Sequence, residues 1–402
     1  MATIKDFFAE KAKRQQDTDV DYREKIRAHR LAVFIWTTIG IIAFIAFMTV
    51  TNILWKQKTF TELRSVSSTP VSIVTSASGM MLGDSILIYS KDGASCIDVK
   101  GKAVWNESYE MQSPIVSVSG SSVAIGDYNG RNIYVANKDE TLGTIRTNLP
   151  IRDLAVSSNG VVAAVLDDSD VIRIFVYNGN EDTDVPIVEA KATMSKSGYP
   201  IRVALSPNGK IMMVSYFYVD GGNMKSSVSF YNFGEVGSNK VDNFVSGFDY
   251  VNTVMPYVRF MNDTSSFGVS DDRVVFFKGN EIPDHVATAL IDGDIVSVYN
   301  NTDYVGLVFL NTSGESTYLL DIYDASGNKI SSIPFDIDYT DIVFSKDTVI
   351  IYGGDDCIVS SVKGQEKFAG KFDKNVRLLL PSNSSYKYTL VTGESVESVE
   401  LD

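Results

Sequence analysis

The sequence predicts an all-β fold: an eight-bladed β-propeller preceded by one transmembrane α-helix. Three observations predict it. An uncharged apolar run lies near the N-terminus, a hairpin-forming unit recurs eight times behind it, and the composition favours strands. Tyr and Phe are plentiful while Pro is sparse, which suits a large β domain better than a disordered chain. The 402 residues suit one large domain with appendages, and 44% hydrophobic residues suffice for a sizeable core.

The apolar run spans Leu31 to Trp55 and carries no Asp, Glu, Lys or Arg. As a helix it would cover about 37 Å, enough to cross a hydrocarbon core of about 30 Å with some tilt. Trp36 and Trp55 lie toward its two ends, where interfacial aromatics are enriched. The run exceeds the length of a cleaved signal's apolar region, and no A-x-A site follows it, so an uncleaved anchor is expected. Lys11, Lys13, Arg14, Arg23, Lys25, Arg27 and Arg30 precede it, and only Lys56, Lys58 and Arg64 follow closely. That bias puts the N-terminus in the cytoplasm and the bulk of the chain outside the cell membrane. The expected organisation is a cytoplasmic tail over 1–30, the helix over 31–55, a linker over 56–69 and a propeller over 70–402. Within the tail, Ile4, Phe7, Phe8 and Lys11 follow helical spacing, with Thr3 and Asp6 near the helix start. That pattern fits a helix lying on the inner leaflet or docking a partner, and equally a tail that only sets topology.

The repeat is an apolar strand, a tight polar turn, a second apolar strand and another turn. Its clearest copies are Leu154-Ala-Val-Ser-Ser-Asn-Gly-Val-Val-Ala-Ala-Val and Val203-Ala-Leu-Ser-Pro-Asn-Gly-Lys-Ile-Met-Met-Val. Asn-Gly between two apolar runs is a strong hairpin signal. Weaker copies begin near Met80, Val116, Val258, Ser297, Ile342 and Leu378. Their spacing brackets the roughly 40–50-residue period of propeller blades. Eight starts give eight blades; a count of seven stays open if one copy is misread. The last copy is one strand short, and Pro70-Val-Ser-Ile-Val-Thr, near 70–76, is expected to complete it and leave no open edge.

The first copy runs from Asp84-Ser-Ile-Leu-Ile-Tyr to Gly101-Lys-Ala-Val-Trp105 and resembles the quinoprotein-type propeller repeat. More of the chain resembles a family of uncharacterised single-pass membrane propeller proteins of Gram-positive anaerobes. Ser113-Pro-Ile-Val, Asn148-Leu-Pro-Ile, Ser197-Gly-Tyr-Pro, Leu205-Ser-Pro-Asn-Gly and Phe230-Tyr-Asn-Phe-Gly-Glu-Val-Gly carry this resemblance. It implies an architecture and a location, and it transfers no functional residue.

Chemistry is limited by scarcity. The net charge of −14 and pI of about 4.7 exclude the basic footprint of a nucleic-acid binder. Only Cys96, Cys357, His29 and His285 represent their residue types, with no zinc spacing. His285 follows Ile282-Pro-Asp and is expected in a surface turn; the cysteines are expected as reduced thiols in separate blades. The adjacent Cys-Cys pair of quinone enzymes is absent, and Trp105 reads as outer-strand packing. Asp127-Tyr-Asn-Gly-Arg-Asn132, Asp167-Asp-Ser-Asp170, Asp292-Gly-Asp294 and Asp355-Asp356 match no EF-hand loop and read as turn chemistry. Ser90-Lys-Asp-Gly93 has the wrong spacing for a sialidase Asp box. Asn106, Asn262, Asn300, Asn311 and Asn383 open N-x-S/T triplets, a match that arises by chance in polar turns. No catalytic residue, metal-ligand set or cofactor is singled out.

Residues 211–257 are long for one blade and dense in aromatics. Tyr199, Tyr216, Tyr218, Tyr231, Phe233, Phe248 and Tyr250 are the candidate binding residues, since aromatics anchor interfaces and stack on sugars. The expected function is a membrane-anchored extracytoplasmic propeller that serves as a protein-binding scaffold or envelope sensor. Its expected partners are a protein at the outer membrane face and, through 31–55, the lipid bilayer. A small molecule or glycan is a further candidate ligand, and a glycan-active hydrolase or lyase, or a glycan-binding module, is the alternative. The tail carries +2, which leaves −16 for the remainder and disfavours polyanionic wall polymers.

Overall fold

The structure, a computed structural model, describes residues 4–71, 73, 76–168, 171–192, 198–312, 314, 316–382 and 386–402. Thr3, Ser169, Asp170, Ser197 and Asn383, which the sequence reading used, lie outside the described residues, as do Ser72, Val74 and Thr75 of the expected closing strand. The chain forms two compact units that divide between Thr59 and Phe60.

The first unit is a single helix, Ile4–Gln57. Tail and apolar run are therefore continuous helix. Its segment Glu24–Thr51 is long and apolar enough to cross a membrane. Within that segment Thr37, Thr38, Thr49 and Thr51 donate their hydroxyls to carbonyls three or four residues back, at 2.7–3.0 Å. These four hydroxyls are thus satisfied inside the helix itself, as an apolar solvent requires.

The second unit is an eight-bladed β-propeller. Eight four-stranded antiparallel sheets follow one another along the chain. Blades 1 to 7 occupy residues 78–108, 114–146, 151–192, 199–251, 257–290, 295–335 and 341–371. Blade 8 takes Leu378–Pro381, Lys387–Val391 and Ser395–Leu401, and its outermost strand is Leu63–Pro70. All eight repeat starts fall in or beside the first strands. First strands of neighbouring blades approach one another from blade 2 to blade 5 and from blade 6 through blades 7 and 8 to blade 1, so they line the axis.

Apolar alternation along each strand supplies both faces of a blade, and the core consists of wedges between blades. Between blades 3 and 4, Val165, Ile174 and Val176 meet Val203, Val214 and Tyr216. Between blades 7 and 8, Val359 and Phe368 meet Leu379, Tyr388 and Leu390. The Asn-Gly hairpins are four-residue turns in which the glycine alone is left-handed: Gly160 (φ +83°) donates to Ser157 O, and Gly209 (φ +71°) to Ser206 O. These turns also tie blades together. Ser158 N–H donates to Pro207 O (2.8 Å), and Asn208 N–H to the Asp263 carboxylate (2.8 Å).

Ring closure differs from the expectation near 70–76. The closing strand is Leu63–Pro70, antiparallel to Ser395–Leu401 and paired from Leu63↔Leu401 to Pro70↔Ser395. An outermost strand needs few apolar residues, and seven of its eight are exposed. Val71 and Ile73, the apolar residues that suggested a strand, pack into the wedge between blades 8 and 1. The linker expected over 56–69 is largely taken up: the helix runs to Gln57, and Phe60 is already in the blade 7–8 core.

Cys96 and Cys357 are buried free thiols in blades 1 and 7. His285 is exposed, as expected, but is the second residue of the outermost strand of blade 5, Asp284–Leu290, instead of lying in a turn. Its Nε2 is 2.8 Å from the Thr288 hydroxyl. Asp127 accepts the N–H groups of Gln112 (3.1 Å) and Ser113 (2.7 Å), a turn role.

Candidate interaction surface on blade 4

Blade 4 has the longest strands of the ring. Its second and third strands, Ile211–Asp220 and Asn223–Asn232, have ten residues each, while the other second strands have five to eight. Gly221 and Gly222, both left-handed (φ +59° and +83°), make the turn that joins them. The cross-strand pairs run in unbroken register from Ile211↔Asn232 to Asp220↔Asn223.

Side-chain period two decides what each row meets. Ile211 and Met213 face blade 5 and pack with Val228, Phe230, Val258, Val275 and Phe277. The same row continues through Ser215 and Phe217 to Val219, which pairs with Met224. The second strand of blade 5 is only Ser265–Val269. The row outruns its neighbour, so Val219 and Met224 are left 63% and 52% exposed and Phe217 half-buried. On the opposite face Tyr218, Lys225 and Val251 lie side by side, with Val251 exposed. Lys225 Nζ reaches Asp220 Oδ2 at 2.6 Å, bracing the tip; the pair raises the lysine pKa and lowers that of the aspartate.

The seven aromatics expected to bind do not form one surface. Tyr216 is buried between blades 3 and 4, with its hydroxyl 2.8 Å from that of Tyr231; burial pushes both phenols up. Tyr199, Tyr231 and Phe233 pack at the margin of the same wedge. Phe248 and Tyr250 pack on the other side of the blade, against the wedge with blade 5, where Phe248 lies 5.3 Å from the ring of Phe277. Tyr218 alone sits beside the projecting tip. Sequence reasoning missed Val219 and Met224. The available signal was length: two ten-residue runs around Gly-Gly exceed what a neighbouring blade can cover.

A concavity of about 180 Å³ lies inside the ring, lined by the first strands of blades 2 to 5. Its walls are mostly Val, Leu, Ile, Ala and Ser. Arg202 and Arg259 are its charged residues, and no carboxylate lines it among the described residues. Arg202 reaches the buried Asp153 at 3.1 Å, and Val203 N–H donates to the same carboxylate at 2.9 Å.

A family model described as a family of unknown function, DUF5711, matches residues 56–401, nearly all of the propeller and the end of the helix. The chain belongs to the DUF5711 family. No curated protein matches this DUF5711 chain. Among solved structures it is similar to apo AztD from Citrobacter koseri, at 9% identity and a TM-score of 0.52, covering 75% of this chain and 86% of that one. BamB from Moraxella catarrhalis is similar at 11% identity and 0.47, over 85% and 100% of the two chains. A eukaryotic initiation factor gives 13% and 0.44, over 78% and 90%. At these identities the likeness concerns fold alone, and the AztD match is the one that supports it. The projecting tip of blade 4 is therefore read from this DUF5711 chain's own geometry.

Proposed function

We propose that this chain is a membrane-anchored propeller that binds a protein partner outside the cytoplasm, as a scaffold or envelope sensor, through the blade 4 hairpin. The observation that carries the proposal is the apolar pair Val219 and Met224, which extends past blade 5 beyond the half-buried Phe217 and is left exposed among the described residues. Apolar side chains held on a rigid two-stranded ladder form the kind of centre around which protein interfaces concentrate their energy. The ladder is braced at its tip, so little ordering cost remains on binding. The lining of the concavity inside blades 2 to 5 also favours binding over glycan cleavage. Glycoside hydrolysis uses paired carboxylates about 5–9 Å apart, and the described lining offers guanidinium groups instead. The apolar segment Glu24–Thr51 supports anchorage.

The test is site-specific photocrosslinking from position 219 in native membranes. The expected product is a heterologous protein adduct that disappears in a Met224→Asp background while the melting temperature stays unchanged. An adduct that persists with Met224→Asp, or crosslinks to lipid alone, would overturn the assignment of this surface.

A further inference from the structure

A cavity of about 180 Å³ also lies in the groove between the outer parts of blades 1 and 2. Trp105, Tyr109, Tyr134 and Leu142 contribute its aromatic and apolar wall, and Glu107 and Asp182 its charge. No Lys, Arg or His lines it among the described residues. Trp105 is held in place by its indole N–H, which donates to Asn137 O at 2.7 Å. Tyr109 stacks on Tyr134 with centroids 5.2 Å apart and planes 29° apart. The wall is therefore preorganised.

Two polar groups of the residues around this cavity lack partners inside the fold. Tyr109 is only 8% exposed, yet its hydroxyl has no hydrogen-bond partner among the described residues. Buried hydroxyls are nearly always paired. Glu107 is half-buried at the cavity and its carboxylate has no hydrogen bond or ion pair among the described residues, while that of Asp182 accepts only the Thr144 N–H, at 2.8 Å. Two carboxylates thus stand beside three aromatic rings with no cation among the described residues to balance them.

We propose that this cavity binds a small organic amine, an ammonium group carried on an apolar body. Aromatic faces attract cations through the ring quadrupole. A carboxylate strengthens and orients that attraction through a charge-assisted hydrogen bond. The volume sets the size: a cavity of about 150 Å³ accepts benzene, so a ring plus a short aminoalkyl arm fits this one. The exposed Thr141 and Asp182 form the rim through which a ligand enters.

The chain supplies its own probe. It has three tryptophans, Trp36, Trp55 and Trp105, and the first two lie in the N-terminal helix. In the full chain carrying Trp36→Phe and Trp55→Phe, the fluorescence of Trp105 reports on the cavity alone. Phenethylamine is expected to change it saturably, and 3-phenylpropionate, of similar shape and opposite charge, to leave it unchanged. Glu107→Gln is expected to weaken phenethylamine binding by at least about tenfold with the same melting temperature. Absence of a saturable change at millimolar phenethylamine, or an equal response to 3-phenylpropionate, would overturn the proposal. So would unaltered binding by the folded Glu107→Gln variant.

Discussion

Asp153 shows how one residue sets a pH dependence at the ring's interior. Burial pushes its carboxyl above the usual range, against the downward pull of the Arg202 guanidinium and the Val203 N–H. A raised pKa means that the folded chain holds this proton more tightly than the unfolded chain does. The associated stability is complete below the unfolded value of about 4 and is lost as pH rises through the folded value. Asparagine keeps the side-chain shape and cannot ionise. The stability of Asp153→Asn relative to the parent chain should therefore rise from acid to neutral pH, as read by thermal melts of both proteins in matched buffers. Comparison of the pair cancels the other titrating groups. A difference that stays constant with pH would mean that Arg202 fully compensates the burial.

At the scale of elements, ring closure depends on one strand that comes from before the first blade. Glu397 on blade 8 links it to its neighbours. It accepts from the hydroxyls of Ser68 (3.2 Å), Ser65 (3.4 Å) and Ser395 (2.8 Å) and pairs with the Lys374 ammonium. Burial works against its ionisation, but Lys374 and the hydroxyls outweigh that and lower its pKa. Its contribution is present above the usual carboxylate range and is lost as pH falls through the lowered value. Glu397→Ala should speed amide hydrogen exchange across Leu63–Pro70 by at least about tenfold, since bonds to a charged group are the stronger ones. Exchange in the strands of blade 4 should not change. The same strand shows what the sequence revealed. Repeats were legible because a blade's inner strands are buried on both faces and must be apolar, as in Val161–Asp168. The closing strand was not, because Leu-Arg-Ser-Val-Ser-Ser-Thr-Pro faces solvent and carries no alternation. The blade 4 surface was half legible. Its position followed from length, but its contact residues did not, because aromatic density there reflects wide wedges between blades, and which row outruns its neighbour depends on the length of another blade.

For the whole molecule, the proposed anchorage predicts which side of a membrane the propeller occupies. The excess of Lys and Arg before the apolar segment argues for a cytoplasmic N-terminus and an external propeller. The chain is well suited to a thiol-labelling test because its own cysteines are silent. Both are buried, and burial alone or as the leading cause pushes the Cys96 thiol up to about 11 and that of Cys357 up to about 12. Maleimide reacts with thiolate, so neither should compete at neutral pH. A reporter cysteine then needs only an exposed site on each unit. Lys13 is exposed on the helix, and Val185 is 68% exposed on blade 3. With a membrane-impermeant maleimide on intact cells, Val185→Cys should label at once and Lys13→Cys only after permeabilisation. The reverse pattern would place the propeller, with the blade 4 hairpin and the amine cavity, inside the cell, and the search for both ligands would move there with it. Equal labelling of both before permeabilisation would mean that the apolar segment does not span the membrane, and the anchorage argued from its length and composition would fall.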